Sequence, residues 1–82
     1  MLHAVAHIVV MFRKPGVAAW DTSLGKFTAS ENVITALAEL LAEREPYEAL
    51  EQIRAIDQLL FDTLDILKAD GFEVRLQCDD DA

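Results

Sequence analysis

Apolar residues occupy every even position from residue 2 to residue 12. The odd positions between them are mixed and include His3 and His7. A period of two places the even positions on one face of a β-strand, and the β-branched residues near Val9 favour a strand over a helix. The sequence therefore predicts a first strand over residues 2–12 with one face directed at a core.

A turn is predicted directly after this strand, at residues 14–17. Pro15 presets φ at the second position of a type II turn, and Gly16 tolerates the positive φ that the third position requires. A second, shorter strand is expected from Val17 to about Thr22, so that it forms a hairpin with the first strand.

The first helix has a clear start and a clear end. Thr28 and Glu31 have the spacing of a capping box, although Ser30 is an equally good N-cap. Pro46 disfavours helical geometry in the residue before it, so the helix is expected to end there. Between these limits the apolar residues recur on one helical stripe. They are Val33, Ile34, Leu37, Leu40 and Leu41.

A long second helix is predicted from about Pro46 to Ala69. Proline is well suited to the first helical position, and Gly71 is a natural residue for the C-terminal cap. One apolar seam runs along the whole segment and is expected to pack on the sheet and the first helix. It consists of Ala49, Ile53, Ile56, Leu60, Leu64 and Leu67.

The C-terminal residues predict a last strand. Apolar and polar residues alternate from Phe72 to Cys78, which is typical of a half-buried strand. Residues 79–82 (Asp-Asp-Asp-Ala) are expected to form an acidic C-terminal tail. The prediction is therefore one α+β domain over residues 1–82, with about three strands packed on a helical hairpin in the order β-β-α-α-β.

Composition and charge narrow the possible functions. The chain has 82 residues, of which 52% are hydrophobic and 27% charged, so intrinsic disorder is excluded. Its formal net charge of −8 opposes direct binding to nucleic acid, because such a protein repels phosphate backbones. Residues 1–30 hold three basic residues and one acidic residue, whereas residues 31–82 hold four basic and fourteen acidic residues.

The acidic residues of the two predicted helices suggest a binding surface. Six carboxylates lie away from the apolar seams, where they would either dock on a basic protein surface or only confer solubility. They are Glu39, Glu43, Glu48, Glu51, Asp62 and Asp65.

Apolar residues outside the seam suggest a second kind of contact. Leu59 and Ile66 lie to one side of it, and Leu50 and Phe61 lie to the other. A single sheet does not cover so wide a stripe. Either the first helix covers one flank and the sheet the other, or one flank remains exposed as an interface with a partner or a second copy. Trp20 is a third candidate, since tryptophan is enriched among binding hot spots.

No residue pattern indicates an enzyme, a metal site or a cofactor. His3 and His7 are too far apart on a strand to share a metal ion, and Cys78 fits a core-facing alternation. The chain has no nucleophile motif and no phosphate-binding loop. The N-terminal apolar segment lacks a preceding basic region and is too short to span a membrane, so a cytoplasmic protein without membrane contact is expected.

These observations predict a non-enzymatic, acidic protein-binding module. In its most concrete form it is an inhibitor that occupies the basic nucleic-acid-binding groove of a larger partner. In size and charge the chain is similar to phage proteins that antagonise restriction or CRISPR systems. The alternative is a structural homodimerisation or assembly module whose acidic face only confers solubility, and a weaker third is a small enzyme with a site shared across a dimer.

Overall fold

The computed structural model describes residues 5–81 and confirms the predicted α+β fold with the order β-β-α-α-β. Its strands are β1 (Val5–Arg13), β2 (Lys26–Ala29) and β3 (Glu73–Asp81). Its α-helices are α1 (Glu31–Leu41), α2 (Leu50–Ile56) and α3 (Gln58–Ala69), and a 3₁₀ helix spans Pro46–Ala49. The sheet is antiparallel in the order β2-β1-β3, so β1 is central.

The helices pack on one face of the sheet. Ala6, Ile8 and Val10 of β1 are fully buried against them and Phe12 is partly buried, because alternation along a strand sends every second side chain to the same face. The helices contribute the buried residues of the predicted stripe and seam. The core consists of Ala6, Ile8, Val10, Ile34, Leu37, Ala49, Ile53, Leu60, Leu64 and Leu67.

The position predicted for the second strand is wrong. The predicted turn is present, with Gly16 at φ 88° and the Val17 amide donating to the Lys14 carbonyl at 3.1 Å. The chain that follows meets β1 at only one bridge, between Phe12 and Asp21, and is largely exposed. The strand that pairs with β1 is Lys26–Ala29. The side chain of Phe27 packs on the core there, and this burial stabilises the pairing.

The second predicted helix is divided. Asp57 has an extended backbone (φ −153°, ψ 107°) and separates α2 from α3. Its carboxylate accepts a hydrogen bond from the Leu60 amide at 3.0 Å, which makes Asp57 the N-cap of α3. The apolar periodicity continues through this break because Ile53 and Leu60 are both in the core.

The first helix ends earlier than predicted, at Leu41 rather than next to Pro46, because the Glu43 amide donates to the Leu40 carbonyl at 3.3 Å in a turn tighter than the α-helix. The start of α1 and the end of α3 are close to those predicted. Ser30 is the N-cap of α1, and its hydroxyl accepts from the Val33 amide at 3.3 Å. Gly71 follows α3 with φ 80°, a conformation that glycine adopts without a steric cost. The predicted acidic tail is wrong as far as Asp81, because β3 continues to that residue in register with Val5–His7 of β1. Residues 1–4, which include the predicted strand start and His3, lie outside the described residues, as does Ala82.

Candidate protein-binding surface

All six predicted carboxylates are exposed on the helical side of the molecule. Glu39 lies in α1 and Glu43 two residues after its end, Glu48 lies in the 3₁₀ helix and Glu51 in α2. Asp62 and Asp65 lie one turn apart in α3. The six residues are therefore spread over the whole helical layer and absent from the sheet.

Half of these carboxylates have local partners. Glu48 accepts from the Glu45 amide at 3.3 Å, Glu51 lies 3.6 Å from Arg54, and Asp62 accepts from the Gln58 amide group at 2.9 Å. All three contacts are at exposed positions, where solvent competes and each is weak. Among residues 6–78, the carboxylates of Glu39, Glu43 and Asp65 make no hydrogen bond or ion pair. Little is therefore lost when a partner engages them.

The apolar pair on α3 is exposed. Leu59 is 63% exposed and Ile66 is 62% exposed. They are seven residues apart, which places them on the same side of the helix about 10 Å apart along its axis. Asp62 lies three residues after Leu59 and four before Ile66, so it adjoins both. We call Leu59, Asp62, Asp65 and Ile66 the α3 surface.

The opposite flank of the seam is covered. Leu50 and Phe61 are half-buried and pack against the core, and the guanidinium of Arg54 lies 5.6 Å from the Phe61 ring. The wide apolar stripe predicted for this segment is therefore resolved asymmetrically: one flank completes the core, and the other remains exposed.

Trp20 lies against two arginines. The guanidinium carbon of Arg13 lies 4.1 Å from its ring centroid and that of Arg75 lies 5.3 Å away. Arg13 also forms an ion pair with Glu73 at 2.9 Å and donates to the Ala18 carbonyl at 3.0 Å. Trp20 is half-buried in a loop, so it does not join the α3 surface.

Arg13, Arg75 and Trp20 also line a cleft of about 760 Å³ between the start of β3 and the chain after α1. Tyr47 lines the same cleft, and its hydroxyl donates to the Phe72 carbonyl at 2.7 Å. Partial burial raises the pKa of Tyr47 above its ordinary value, so this donor keeps its proton at neutral pH. Glu43 and Glu48 both line this cleft, whereas Asp62 and Asp65 of α3 do not.

The side of the sheet turned away from the helices was missed by sequence reasoning. Val9 and Met11 of β1 are half-buried there. Their cross-strand neighbours are Lys26 on β2 and Arg75 on β3. We call Val9, Met11, Lys26 and Arg75 the outer sheet face. The alternation in residues 2–12 predicted a partly apolar second face, whereas the position of Lys26 beside Val9 depends on the pairing of β2, a strand that was predicted at residues 17–22.

Of the residues considered for metal binding, His3 lies outside the described residues. The imidazole Nδ1 of His7 is buried and has no hydrogen-bond partner among the described side chains. Among residues 6–78, no three histidine, cysteine, aspartate or glutamate side chains are grouped as metal ligands would be. Asp21 acts locally: hydrogen bonds from the Ser23 hydroxyl and amide lower the pKa of its carboxyl group.

The comparisons add no family assignment. The chain matches no protein-family model, and no curated protein or solved structure is significantly similar to it. None of the helices within residues 5–81 has both the length and the apolar character needed to cross a membrane.

Proposed function

We propose that this chain is a non-enzymatic protein-binding module whose acidic helical layer docks on a basic partner protein. The observation that carries the proposal is the α3 surface, where two large apolar side chains more than 60% exposed adjoin two exposed carboxylates. Such a surface matches a partner that offers an apolar depression with a basic rim.

The apolar and charged parts have different tasks. Full burial of a leucine or isoleucine side chain is worth about 1.5–3 kcal/mol, so Leu59 and Ile66 would supply most of the affinity. Carboxylates at the rim act mainly on the rate of association and on the choice of partner. Asp62 and Asp65 would therefore select a basic surface and orient the apolar pair on it.

In its most concrete form the module is an inhibitor that occupies a basic groove in which the partner otherwise holds nucleic acid. The charge distribution supports this form, because residues 31–70 hold ten acidic and three basic residues. A helical layer with this excess is attracted to surfaces that attract phosphates.

The alternative is a structural homodimerisation or assembly module that uses Leu59 and Ile66. The exposure of this pair favours it as well, and here the carboxylates only maintain solubility. Salt separates the two forms, since a charge-steered complex weakens as ionic strength rises and an apolar contact does not.

The test is capture of a basic partner from host lysate, followed by binding measurements with purified proteins. We expect Asp62→Lys to weaken the complex and to reduce its salt dependence. Glu31→Lys is the matched control: it changes the net charge equally at another exposed helical carboxylate and should have a smaller effect. A complex that is indifferent to salt and to Asp62→Lys would contradict the proposal and leave the assembly module in its place.

A further inference from the structure

The third strand forms the longer edge of the sheet. It lies at one end of the order β2-β1-β3 and has nine residues, all paired with β1, whereas β2 at the other end has only four. A strand at the edge of a sheet presents a row of backbone N–H and C=O groups that its own sheet does not use. On this molecule the longer of these rows belongs to β3.

The strand register identifies which backbone groups of β3 point outward. Phe12 of β1 donates to the Asp21 carbonyl at 3.0 Å and accepts from the Asp21 amide at 2.8 Å, so its backbone groups are turned away from β3. The partner of Phe12 on β3 is Val74. Because hydrogen-bonded and non-hydrogen-bonded pairs alternate in an antiparallel ladder, Val74 and Leu76 direct their N–H and C=O groups away from β1. We call these outward groups of Val74 and Leu76 the β3 edge.

A contact from Tyr47 agrees with this direction. The Tyr47 hydroxyl donates from the 3₁₀ helix to the carbonyl of Phe72, which lies two residues before Val74. Among residues 6–78, no hydrogen bond from another part of the chain reaches the outward groups of Val74 or Leu76. The β3 edge therefore has hydrogen-bonding capacity for a further strand.

The cleft of about 760 Å³ runs along the β3 edge. Residues 72–76 all line it, although their side chains alternate between the two faces of the sheet, and only the edge of a strand adjoins both sets. The opposite wall of the cleft is the chain of residues 41–48, which contributes the apolar side chains of Leu41 and Tyr47. An extended segment in this cleft would pair with the β3 edge and bury apolar side chains on the helical side.

Charge favours a basic occupant for the cleft. Residues 73–81, which form β3, hold four acidic residues and one basic residue, and the wall of residues 41–48 holds three acidic residues and one basic residue. The further cation in the cleft lining, Arg13, is engaged by Glu73 at 2.9 Å. The β3 strand of a second copy would bring a second acidic excess against the first, so pairing of two β3 edges is disfavoured.

We propose that the β3 edge binds an extended, basic segment of a partner protein as a fourth strand of the sheet. In this mode of recognition, main-chain hydrogen bonds supply affinity and alternate side chains supply specificity. The inference rests on the proposed function only in that the partner is a basic protein, because the β3 edge and the α3 surface share no residue.

Amide hydrogen exchange tests the β3 edge. At low protein concentration we expect the Val74 and Leu76 amides to exchange rapidly and the Arg75 amide between them slowly, since only Arg75 donates to β1. A short, end-capped peptide of alternating lysine and valine is the probe, and it should slow exchange at Val74 and Leu76. Slow exchange at all three amides without the peptide would overturn the inference. So would protection that appears on raising the protein concentration alone, because a second copy would then be the occupant.

Backbone methylation of the probe separates strand pairing from general charge attraction. Two isomers of the peptide are compared, one N-methylated on its lysines and the other on its valines, so that each keeps the N–H groups of only one edge. The charge is the same in both. We expect one isomer to bind more than about tenfold more weakly than the other, because it offers no donors to the β3 edge. Equal binding of the two isomers would show that no strand is formed.

A charge reversal in the wall of the cleft tests the choice of a basic segment. Glu43→Lys should weaken binding of the peptide severalfold. Glu31→Lys is the matched control, since it is also exposed, changes the net charge equally and lies at the other end of α1, outside the cleft lining. If the two variants weaken binding equally, the attraction comes from the whole molecule and the cleft does not select the segment.

These outcomes are distinguishable from those of the partner capture described above. A chain that captures a basic protein through Asp62 but binds neither peptide isomer would keep the proposed function and refute the fourth strand. A chain that binds the peptide at the β3 edge but captures no basic protein through Asp62 would do the reverse.

Discussion

Leu59 and Leu60 are neighbours on α3 with opposite surroundings. Leu60 is fully buried in the core, whereas Leu59 is 63% exposed. The two positions differ by 100° around the helix, which is enough to carry a side chain from the sheet to the solvent. The same residue type therefore has two roles here: Leu60 stabilises the fold and, in our proposal, Leu59 contacts a partner.

We expect Leu60→Ala to lower the free energy of unfolding by about 2–5 kcal/mol, because it removes buried methyl groups and leaves a cavity. Leu59→Ala is a control of identical chemistry and should change stability by no more than about 0.5 kcal/mol. Urea unfolding followed by circular dichroism measures both values. A larger loss at Leu59 than at Leu60 would mean that the inner and outer faces of α3 are exchanged, and equal losses would contradict the difference in burial.

At the scale of elements, the periodicity of apolar residues predicted which faces of the helices are buried better than it predicted where the helices begin and end. The seam residues Ile53 and Leu60 are buried as predicted, because burial follows the spacing of apolar side chains. The break between them depends on one hydrogen bond from the Leu60 amide to Asp57, which leaves the apolar spacing unchanged. An aspartate followed by an apolar helical run is the signal that would have located it.

Asp57→Ala should cost about 0.5–2 kcal/mol of stability, since the Leu60 amide loses its acceptor at the start of α3. Asp57→Asn keeps an acceptor and should retain most of that energy. Thermal unfolding of the two variants beside the wild type makes the comparison. If Asn and Ala destabilise equally, the cap contributes through its charge or not at all.

At the scale of the whole molecule, the arrangement of surfaces was less predictable than the fold. The exposed flank of Leu59 and Ile66 was one of two outcomes that the sequence allowed, because the deciding factor is how Leu50 and Phe61 pack on the core. The neighbour of Val9 on the outer side of the sheet was not predictable while the second strand was placed at residues 17–22. Only the observed pairing of β2 brings Lys26 beside Val9.

The excess of negative charge should also limit stability. Glu39 and Glu43 are exposed and four residues apart at the C-terminal end of α1, and neither forms an ion pair with a described basic side chain, so their negative charges repel each other. Salt weakens the repulsion between exposed charges, and at 0.1 M its screening length is about 10 Å. We therefore expect the thermal midpoint to rise as sodium chloride is raised from low concentration to about 0.1 M.

The variant Glu39→Gln with Glu43→Gln tests the origin of this effect. It removes two negative charges from the helical layer without touching the core, so its midpoint at low salt should exceed that of the wild type and its gain on adding salt should be smaller. Measurements at a low protein concentration keep self-association from contributing to the midpoint. If the variant and the wild type gain equally from salt, the repulsion lies elsewhere in the molecule, and the acidic layer is tolerated without a cost in stability.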